Sequence, residues 1–241
     1  RGMKVGMLPI QLAKIMINLA RVPISEGPSS SASENRPPII LDPFCGFGTI
    51  LAEARLMGYT NLIGSDLEQK MVDATRENLE WLAQQVIPSG AKAKSRDLLR
   101  MQGTTLFRSP VAELSKHLPA QSVDAIVTEP YMGPTREGLG AKDQELVMEL
   151  TNLYIAAFRE FAKILKPSGR VVFIFPTFKI GSMLTKTSDR VLPEIKKWGF
   201  TPMPLLPPHN SCFVIQFQFI LSYPSSLAKR RILRYIFRGV F

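Results

Sequence analysis

The chain has 241 residues, of which 45% are hydrophobic, and this is enough for one α/β domain with a complete core. Its two cysteines argue against a disulfide framework, so both are interpreted as buried thiols in a reducing compartment. The formal net charge of +10 favours a polyanionic partner such as nucleic acid over a basic face that only keeps the protein soluble. No apolar run approaches the roughly 20 residues of a membrane span and no secretory signal is visible, so we expect a cytoplasmic protein.

In chain order, the first predicted element is a helix over 9–21, within an N-terminal segment 1–22 whose apolar residues recur at helical spacing. A loop rich in proline and serine follows at 23–38. Strands and helices then alternate, with a variable segment before residue 123. The predicted strands are 38–42, 61–65, 91–95, 123–128, 170–175, 202–206 and 213–222, and the predicted helices are 49–57, 68–85, 143–165 and 188–198.

This alternation, with strands that are apolar almost throughout, predicts an α/β fold. We expect a doubly wound, mostly parallel sheet of seven strands with helices on both faces, which is a Rossmann-like architecture. The whole chain is interpreted as one domain, with a core at 39–223 and a basic tail at 224–241. Within the tail, the sequence SSLAKRRILRYIF is typical of an amphipathic helix whose arginines face phosphates, and a solvated cap is the alternative.

The most informative stretch is IILDPFCGFG at 39–48, in which a predicted strand runs into a loop with Asp42 at its mouth. Gly46 and Gly48 let backbone N–H groups approach a ligand, and a helix begins at Thr49. A dinucleotide-binding loop needs a third glycine where this chain has Leu51, and Asp42 suits a pyrophosphate poorly. The loop therefore favours S-adenosylmethionine (SAM), whose ammonium or sulfonium charge Asp42 attracts and whose carboxylate the loop N–H groups reach.

Acidic residues follow the next predicted strands as well. Asp66 is placed to accept both ribose hydroxyls, Leu67 to pack on the adenine, and Asp97 to accept the adenine amino group. One such acid alone is equally typical of a helix N-cap, but the set in register with the glycine loop favours a cofactor site. No metal site is predicted. The predicted cofactor-binding residues are Asp42, Pro43, Phe44, Cys45, Gly46, Gly48, Thr49, Asp66, Leu67, Asp97 and Leu98.

The strand at 123–128 ends in Thr128-Glu129-Pro130-Tyr131. Here the chain resembles class I SAM methyltransferases that modify exocyclic amino groups, in which Asp, Asn or Ser precedes Pro-Pro-Tyr or Pro-Pro-Phe. It is most similar to the THUMP-associated tRNA guanine-N2 methyltransferase family, which acts on the guanosine at position ten of tRNA. The resemblance covers nearly the whole chain and rests on MLPIQLAKIMINLARV, LDPFCGFGTILAEA and GSDLEQKMVDATRENLE.

The chemistry of an exocyclic amine explains such a motif, because its lone pair is conjugated into the base and is a poor nucleophile. The resemblance implies two acceptors for the amine protons: the Thr128 side chain and the Glu129 carbonyl, with Pro130 completing the motif. Tyr131 is expected to stack on the base. Threonine and glutamate both depart from the family pattern, so the Glu129 carboxylate is a further candidate acceptor, and an ion pair between Glu129 and Arg136 is the alternative.

The resemblance implies a SAM-dependent methyltransferase that acts on guanine N2 in tRNA. Family members carry an N-terminal RNA-binding THUMP module, which this sequence lacks, and its first residue is Arg1 rather than Met. We therefore expect either a catalytic part of a longer protein or a domain whose basic surface binds RNA unaided. The alternatives are an amino-methyltransferase for ribosomal RNA or DNA, and a non-catalytic SAM-binding protein that binds RNA.

Overall fold

A computed structural model describes residues 8–20, 22, 36–85, 103–133, 143–180, 182–202, 218–221 and 235–236. The chain divides into two compact units, and each is described by itself. Unit 1 comprises the residues up to Glu129 together with Lys163–Phe173, and unit 2 comprises Pro130–Ala162 and Ile174–Phe241. The predicted strands 91–95 and 202–206, the residues Asp97 and Leu98, and most of the 23–38 loop lie outside the described residues.

Unit 1 contains a parallel sheet of five strands in the order β3-β2-β1-β4-β5. Its strands are β1 (Ile39–Asp42), β2 (Asn61–Asp66), β3 (Thr104–Arg108), β4 (Val123–Thr128) and β5 (Leu165–Phe173). The chain winds outward from β1 to β3 and then crosses back to β4, so the winding direction changes between β1 and β4. Ligands of such sheets bind at the carboxyl ends of the strands on either side of this point.

The central strands of this sheet are covered on both faces. Ile40 and Leu41 in β1 have no exposed surface, and the same is true of Ile126 and Val127 in β4. Because successive side chains of a strand point to opposite faces, neither face of these strands is open to water. This explains why their sequences are continuously apolar rather than alternating.

Among the described residues, three α-helices and one short 3-10 helix accompany this sheet. They are α1 (Ile10–Ala20), α2 (Thr49–Leu56), α3 (Gln69–Gln85) and the 3-10 helix Val111–Lys116. α1 packs against α2, β4 and β5, whereas α3 packs against β2 and β3. The buried residues of α3 are Val72, Thr75 and Leu79, so the Thr75 hydroxyl lies on the buried face of this helix.

Unit 2 contains a second sheet of four strands in the order β7-β6-β8-β9. Its strands are β6 (Phe175–Ile180), β7 (Met183–Lys186), β8 (Gln218–Leu221) and β9 (Tyr235–Ile236), and its helices are most of α4 (Asp143–Ile164) and α5 (Ser188–Lys196). β6 and β8 pair in parallel, whereas the other two pairings are antiparallel. Phe158 of α4 centres an aromatic cluster, with ring centroids 5.3 Å from Phe161, 6.1 Å from Phe175 and 5.2 Å from Phe200.

The α/β class and the mostly parallel sheet are confirmed, but the single sheet of seven strands is not: the described strands form one sheet of five and another of four. β3 lies in the segment for which no strand was predicted. β5 begins at Leu165, immediately after α4 and five residues before the start of the predicted strand 170–175. Tyr235–Ile236 forms a strand where an amphipathic helix was expected, which suits the strand preference of aromatic and β-branched residues. In the described part of the chain, no helix is long and apolar enough to span a membrane.

Candidate active site

A buried carboxyl group stands at the end of β1. Asp42 is 2% exposed, and its Oδ1 accepts hydrogen bonds from the Thr128 hydroxyl at 2.7 Å and from the Phe44 backbone N–H at 3.2 Å. Burial raises the pKa of Asp42 to about 7; these two hydrogen bonds lower it, and the nearby carboxylates of Asp66 and Glu129 raise it further. A positive charge bound beside Asp42 would offset the cost of ionising it, so this position favours a cationic ligand.

The loop after β1 is tied to β2. The Gly46 N–H donates to Asp66 Oδ2 at 3.1 Å, and the Cys45 N–H donates to the Ser65 carbonyl at 2.9 Å. Within the loop, the Gly48 N–H donates to the Cys45 carbonyl at 2.7 Å. The two glycine N–H groups that the sequence assigned to a ligand carboxylate are thus engaged internally. The first turn of α2, which begins at Thr49 without a side-chain cap, keeps backbone donors for that carboxylate.

The glycines of this loop are required by conformation and by space. Gly46 and Gly48 have φ values of 52° and 80°, which L side chains rarely adopt. A Cβ on Gly48 would lie 2.8 Å from Thr75 Cγ2 of α3. The same helix holds the loop from outside: Thr75 Oγ1 donates to the Gly46 carbonyl at 2.8 Å, and Asn78 Nδ2 donates to the Phe47 carbonyl at 2.9 Å.

Sequence reasoning did not single out Thr75 or Asn78. The sequence signal for Thr75 was its spacing: it lies three residues after Val72 and four before Leu79, and therefore on the same helical face. A polar residue on an otherwise apolar face indicates a buried hydrogen bond. The loop that prepares the ligand site is therefore held by a helix lying about 30 residues further along the chain.

Asp66, at the end of β2, has one hydrogen bond on each carboxylate oxygen. Oδ1 accepts from the Glu68 N–H at 3.0 Å, and Oδ2 accepts from Gly46. Each oxygen keeps a second lone pair, so ribose hydroxyls can still bind. Leu67 beside it is 59% exposed and can pack on a flat ring.

The strand that pairs with β2 on its outer side is β3, and it is followed by Ser109, whose N–H donates to the Asp66 carbonyl at 3.0 Å. In the described structure Ser109 therefore occupies the strand-end position that the sequence assigned to Asp97. Because Asp97 and Leu98 lie outside the described residues, their cofactor roles remain predictions.

Cys45 and Pro43 complete the loop. The Cys45 thiol is buried, as its interpretation required, and burial together with the charge of Asp42 raises its pKa to about 12. A thiol with this pKa stays neutral at physiological pH and is not a nucleophile. Pro43 and Phe44 form the turn directly after β1.

At the end of β4, Thr128 and Glu129 have opposite environments. Thr128 has no exposed surface, and its hydroxyl is donated to Asp42. Glu129 is half-buried, and burial raises its pKa to about 7. Among the described residues, its carboxylate has neither a hydrogen bond nor an ion pair; Arg136, the predicted alternative partner, lies outside them.

Tyr131 belongs to unit 2, and its relative solvent exposure is 54%. The fully buried Tyr154 of α4 donates its hydroxyl to the Tyr131 carbonyl at 2.8 Å. Two residues further on, Gly133 has a φ of 92°, and a Cβ there would lie 3.2 Å from Leu146 Cδ2 of the same helix. α4 thus fixes the backbone of 131–133 while the Tyr131 ring stays accessible. The stacking role of Tyr131 stays a prediction, and Tyr154 was not identified from the sequence.

A five-stranded parallel sheet, with acidic residues and a glycine loop at the carboxyl ends of its central strands, defines the Rossmann-like class of α/β proteins. The cyclase SpnF shares this fold: its solved structure gives a TM-score of 0.51 at 14% identity, covering 80% of this chain and 58% of that one. Residues 29–195 match the family described as UPF0020: RMKL-like, methyltransferase domain. This match covers more than half of the chain, and the chain belongs to that family.

Two curated relatives are named tRNA (guanine(10)-N2)-dimethyltransferase. The protein from Methanocaldococcus jannaschii is 35% identical over 170 residues, covering 70% of this chain and 38% of the relative. The protein from Methanothermobacter thermautotrophicus is 33% identical over 144 residues, covering 60% of this chain and 33% of the relative. The chain thus spans little more than a third of the length of these relatives.

Proposed function

We propose that this chain is a SAM-dependent methyltransferase domain that acts on guanine N2 in tRNA, at the guanosine of position ten. The family match and the names of the two relatives support the reaction and its substrate. The observation that carries the proposal is the buried Asp42, which favours a cation beside the glycine loop and is hydrogen-bonded to Thr128 of the substrate motif. Bound SAM would supply an electrophilic methyl group at this point.

The cofactor side of the site uses the loop after β1 and the end of β2. In this proposal Asp42 compensates the positive charge of SAM, and the first turn of α2 binds its carboxylate. Asp66 accepts the ribose hydroxyls through its two remaining lone pairs, and Leu67 covers one face of the adenine. The loop keeps this conformation only with glycine at position 48, because its φ is 80° and a Cβ there would lie 2.8 Å from Thr75 Cγ2 of α3.

The base side uses residues 129–131. The acceptors at this motif hold the protons of the exocyclic amine, so that its lone pair points toward the methyl group. Tyr131 offers an exposed ring on which a base can stack, and stacking of this kind is worth about 1–3 kcal/mol per base. No strong base is needed, because alignment of two bound reactants can lower the barrier by roughly 7–11 kcal/mol.

The proposed partner is RNA, and the distribution of charge indicates which parts of the sequence attract it. The chain has a formal net charge of +10, and its basic residues cluster along the sequence. The largest contributions come from 92–100 and 229–238. We therefore propose that phosphates are bound mainly through these segments, with an RNA-binding module of the THUMP type as an additional partner in the cytoplasm.

The test is methyl transfer from labelled SAM to unmodified tRNA, with ribosomal RNA and DNA in parallel and with SAM binding measured separately. Products are digested to nucleosides and identified by mass. We expect N2-methylguanosine or its dimethyl form from tRNA. Methylated adenine from DNA would support a different substrate, and absence of SAM binding would refute the enzyme. SAM binding without any product, even after an RNA-binding module is added, would favour the non-catalytic alternative.

A further inference from the structure

The side-chain acceptor that the family pattern places at the first motif residue is occupied in this chain. The Thr128 hydroxyl donates its proton to Asp42 Oδ1 at 2.7 Å, and Thr128 has no exposed surface. A substrate amine cannot reach an oxygen that is covered on all sides. Thr128 therefore fixes the Asp42 carboxylate on the cofactor side and is not available to a base.

The next residue has the properties that Thr128 lacks. Glu129 follows β4 directly at the winding switch, is half-buried, and has no hydrogen-bond or ion-pair partner within the described residues. Its chain neighbour Thr128 is hydrogen-bonded to Asp42, which places Glu129 close to the cofactor acid. A half-buried carboxylate without a protein partner loses part of its hydration, and a ligand with two N–H donors would replace what is lost.

We propose that the Glu129 carboxylate recognises the substrate base by accepting hydrogen bonds from guanine N1–H and N2–H together, and so selects guanine over adenine. This inference rests on the proposed function and assigns its base specificity to one side chain. The side chain of Glu129 would then accept the amine protons, a role that the family pattern gives to the residue at position 128.

The chemistry of the two purines supports this selection. Guanine presents two nearly parallel N–H donors, on N1 and on the exocyclic N2, both bonded to C2, and they match the two oxygens of a carboxylate as an arginine fork does. Adenine presents one donor and one lone pair at the corresponding edge, so the lone pair would face a carboxylate oxygen. Inosine keeps N1–H but lacks the amino group, and it can make only one of the two bonds.

The test compares binding of guanosine, inosine and adenosine monophosphates in the presence of S-adenosylhomocysteine. For the wild-type chain we expect the order guanosine, inosine, adenosine, with on the order of tenfold between the first and the last. Glu129→Gln, which keeps the shape but offers one acceptor and one donor, should remove this preference. Glu149→Gln is the matched control, because this exposed glutamate of α4 loses the same charge. An equal guanine preference in Glu129→Gln, or no preference in the wild-type chain, overturns the proposal.

Two further variants separate the inference from its alternatives. Thr128→Val should change SAM affinity through Asp42 but retain the guanine preference. Arg136→Gln tests the ion-pair role: if it removes the preference as fully as Glu129→Gln does, Glu129 acts through that arginine and the inference is wrong. If the wild-type chain forms N2-methylguanosine and Glu129→Gln forms it with unchanged kcat/KM, the inference fails while the proposed function stands.

Discussion

The carboxyl ends of β1 and β4 lie next to each other in one sheet but are organised in opposite ways. At β1, Asp42, Gly46 and Gly48 all have internal hydrogen-bond partners. At β4, the described structure leaves the Glu129 carboxylate unpaired, and Tyr131 shortly after it is exposed. The end of β1 is therefore held by internal hydrogen bonds, whereas the end of β4 keeps the hydrogen-bonding capacity that the proposed base recognition requires. The following predictions test this difference.

The largest expected effect concerns Asp42. Because burial raises its pKa from an ordinary 3.8 to about 7, the folded chain holds this proton more tightly than the unfolded chain does. The associated stability is fully present below about pH 4 and is lost as pH rises through 7, a loss on the order of 4 kcal/mol. Asp42→Asn, whose Oδ1 can accept the same two hydrogen bonds, should lack this loss.

The measurement is urea unfolding of both ligand-free proteins from pH 4 to pH 8. Above pH 7 the variant should be the more stable of the two, although it should bind SAM more weakly. Glu129 and Asp66, the acids nearest to Asp42, are present in both proteins, so the difference isolates Asp42. Parallel stability curves for the two proteins would contradict the assignment.

A second prediction concerns a substitution in the loop after β1. Gly48→Ala should destabilise the fold by about 3 kcal/mol and abolish SAM binding, because the new methyl group adds a contact at 2.8 Å with Thr75 to an unfavourable φ of 80°. Gly199→Ala is the matched control, since Gly199 has a φ of 86° and an added Cβ would have no neighbouring atom within 4 Å.

Thermal unfolding and SAM titration measure both effects. Combining Gly48→Ala with Thr75→Ser should restore part of the stability, because serine lacks the clashing methyl group. Equal losses for Gly48→Ala and Gly199→Ala would mean that backbone strain alone, and not the approach of α3, requires glycine in the loop.

A third prediction concerns the exposed ring at the base side. Tyr131→Ala should lower turnover on tRNA by about 10- to 100-fold through lost stacking and leave SAM affinity unchanged. Tyr131→Phe should retain most of the turnover. The check is single-turnover methyl transfer with SAM affinity measured on the same samples; an unchanged rate for Tyr131→Ala would remove the stacking role.

The smallest effect is expected for the residue that holds this segment. Tyr154→Phe removes only the hydroxyl bonded to the Tyr131 carbonyl, at a net cost of about 1 kcal/mol. We expect a several-fold lower kcat with little change in the Kd for SAM. A variant that loses stability but keeps kcat would show that Tyr154 serves the fold and does not position the motif.

The sequence predicted the elements that carry strong apolar patterns. The predicted boundaries of the strand and helix on either side of the glycine loop, and those of β4, lie within one residue of the observed ones. β3 was missed because Thr104–Arg108 is an edge strand of the described sheet, with only intermediate or exposed residues, so its apolar signal is weak. The division of the strands into two sheets depends on tertiary pairing, which local patterns do not encode.

At the site, the positions of Asp42, Asp66 and the loop glycines followed from where strands end. The bonds from Thr75 to Gly46 and from Tyr154 to Tyr131 could not be predicted, because each joins residues more than 20 positions apart and depends on the rotation of a helix about its axis. The same is true of Thr128: its side chain was predicted to face the base, but its bond to Asp42 depends on the register between β1 and β4.

The clustering of basic residues at 229–238 has a consequence for how this protein can change over time. Under the proposed function, methyl transfer depends on one set of positions and attraction for polyanions depends largely on another, so substitutions can alter either property almost independently. Lineages that live at different internal salt concentrations can then adjust the number of lysines and arginines in this segment without changing the residues proposed to carry the reaction. The proposed methyl transfer and the salt dependence of RNA binding would be separately heritable traits.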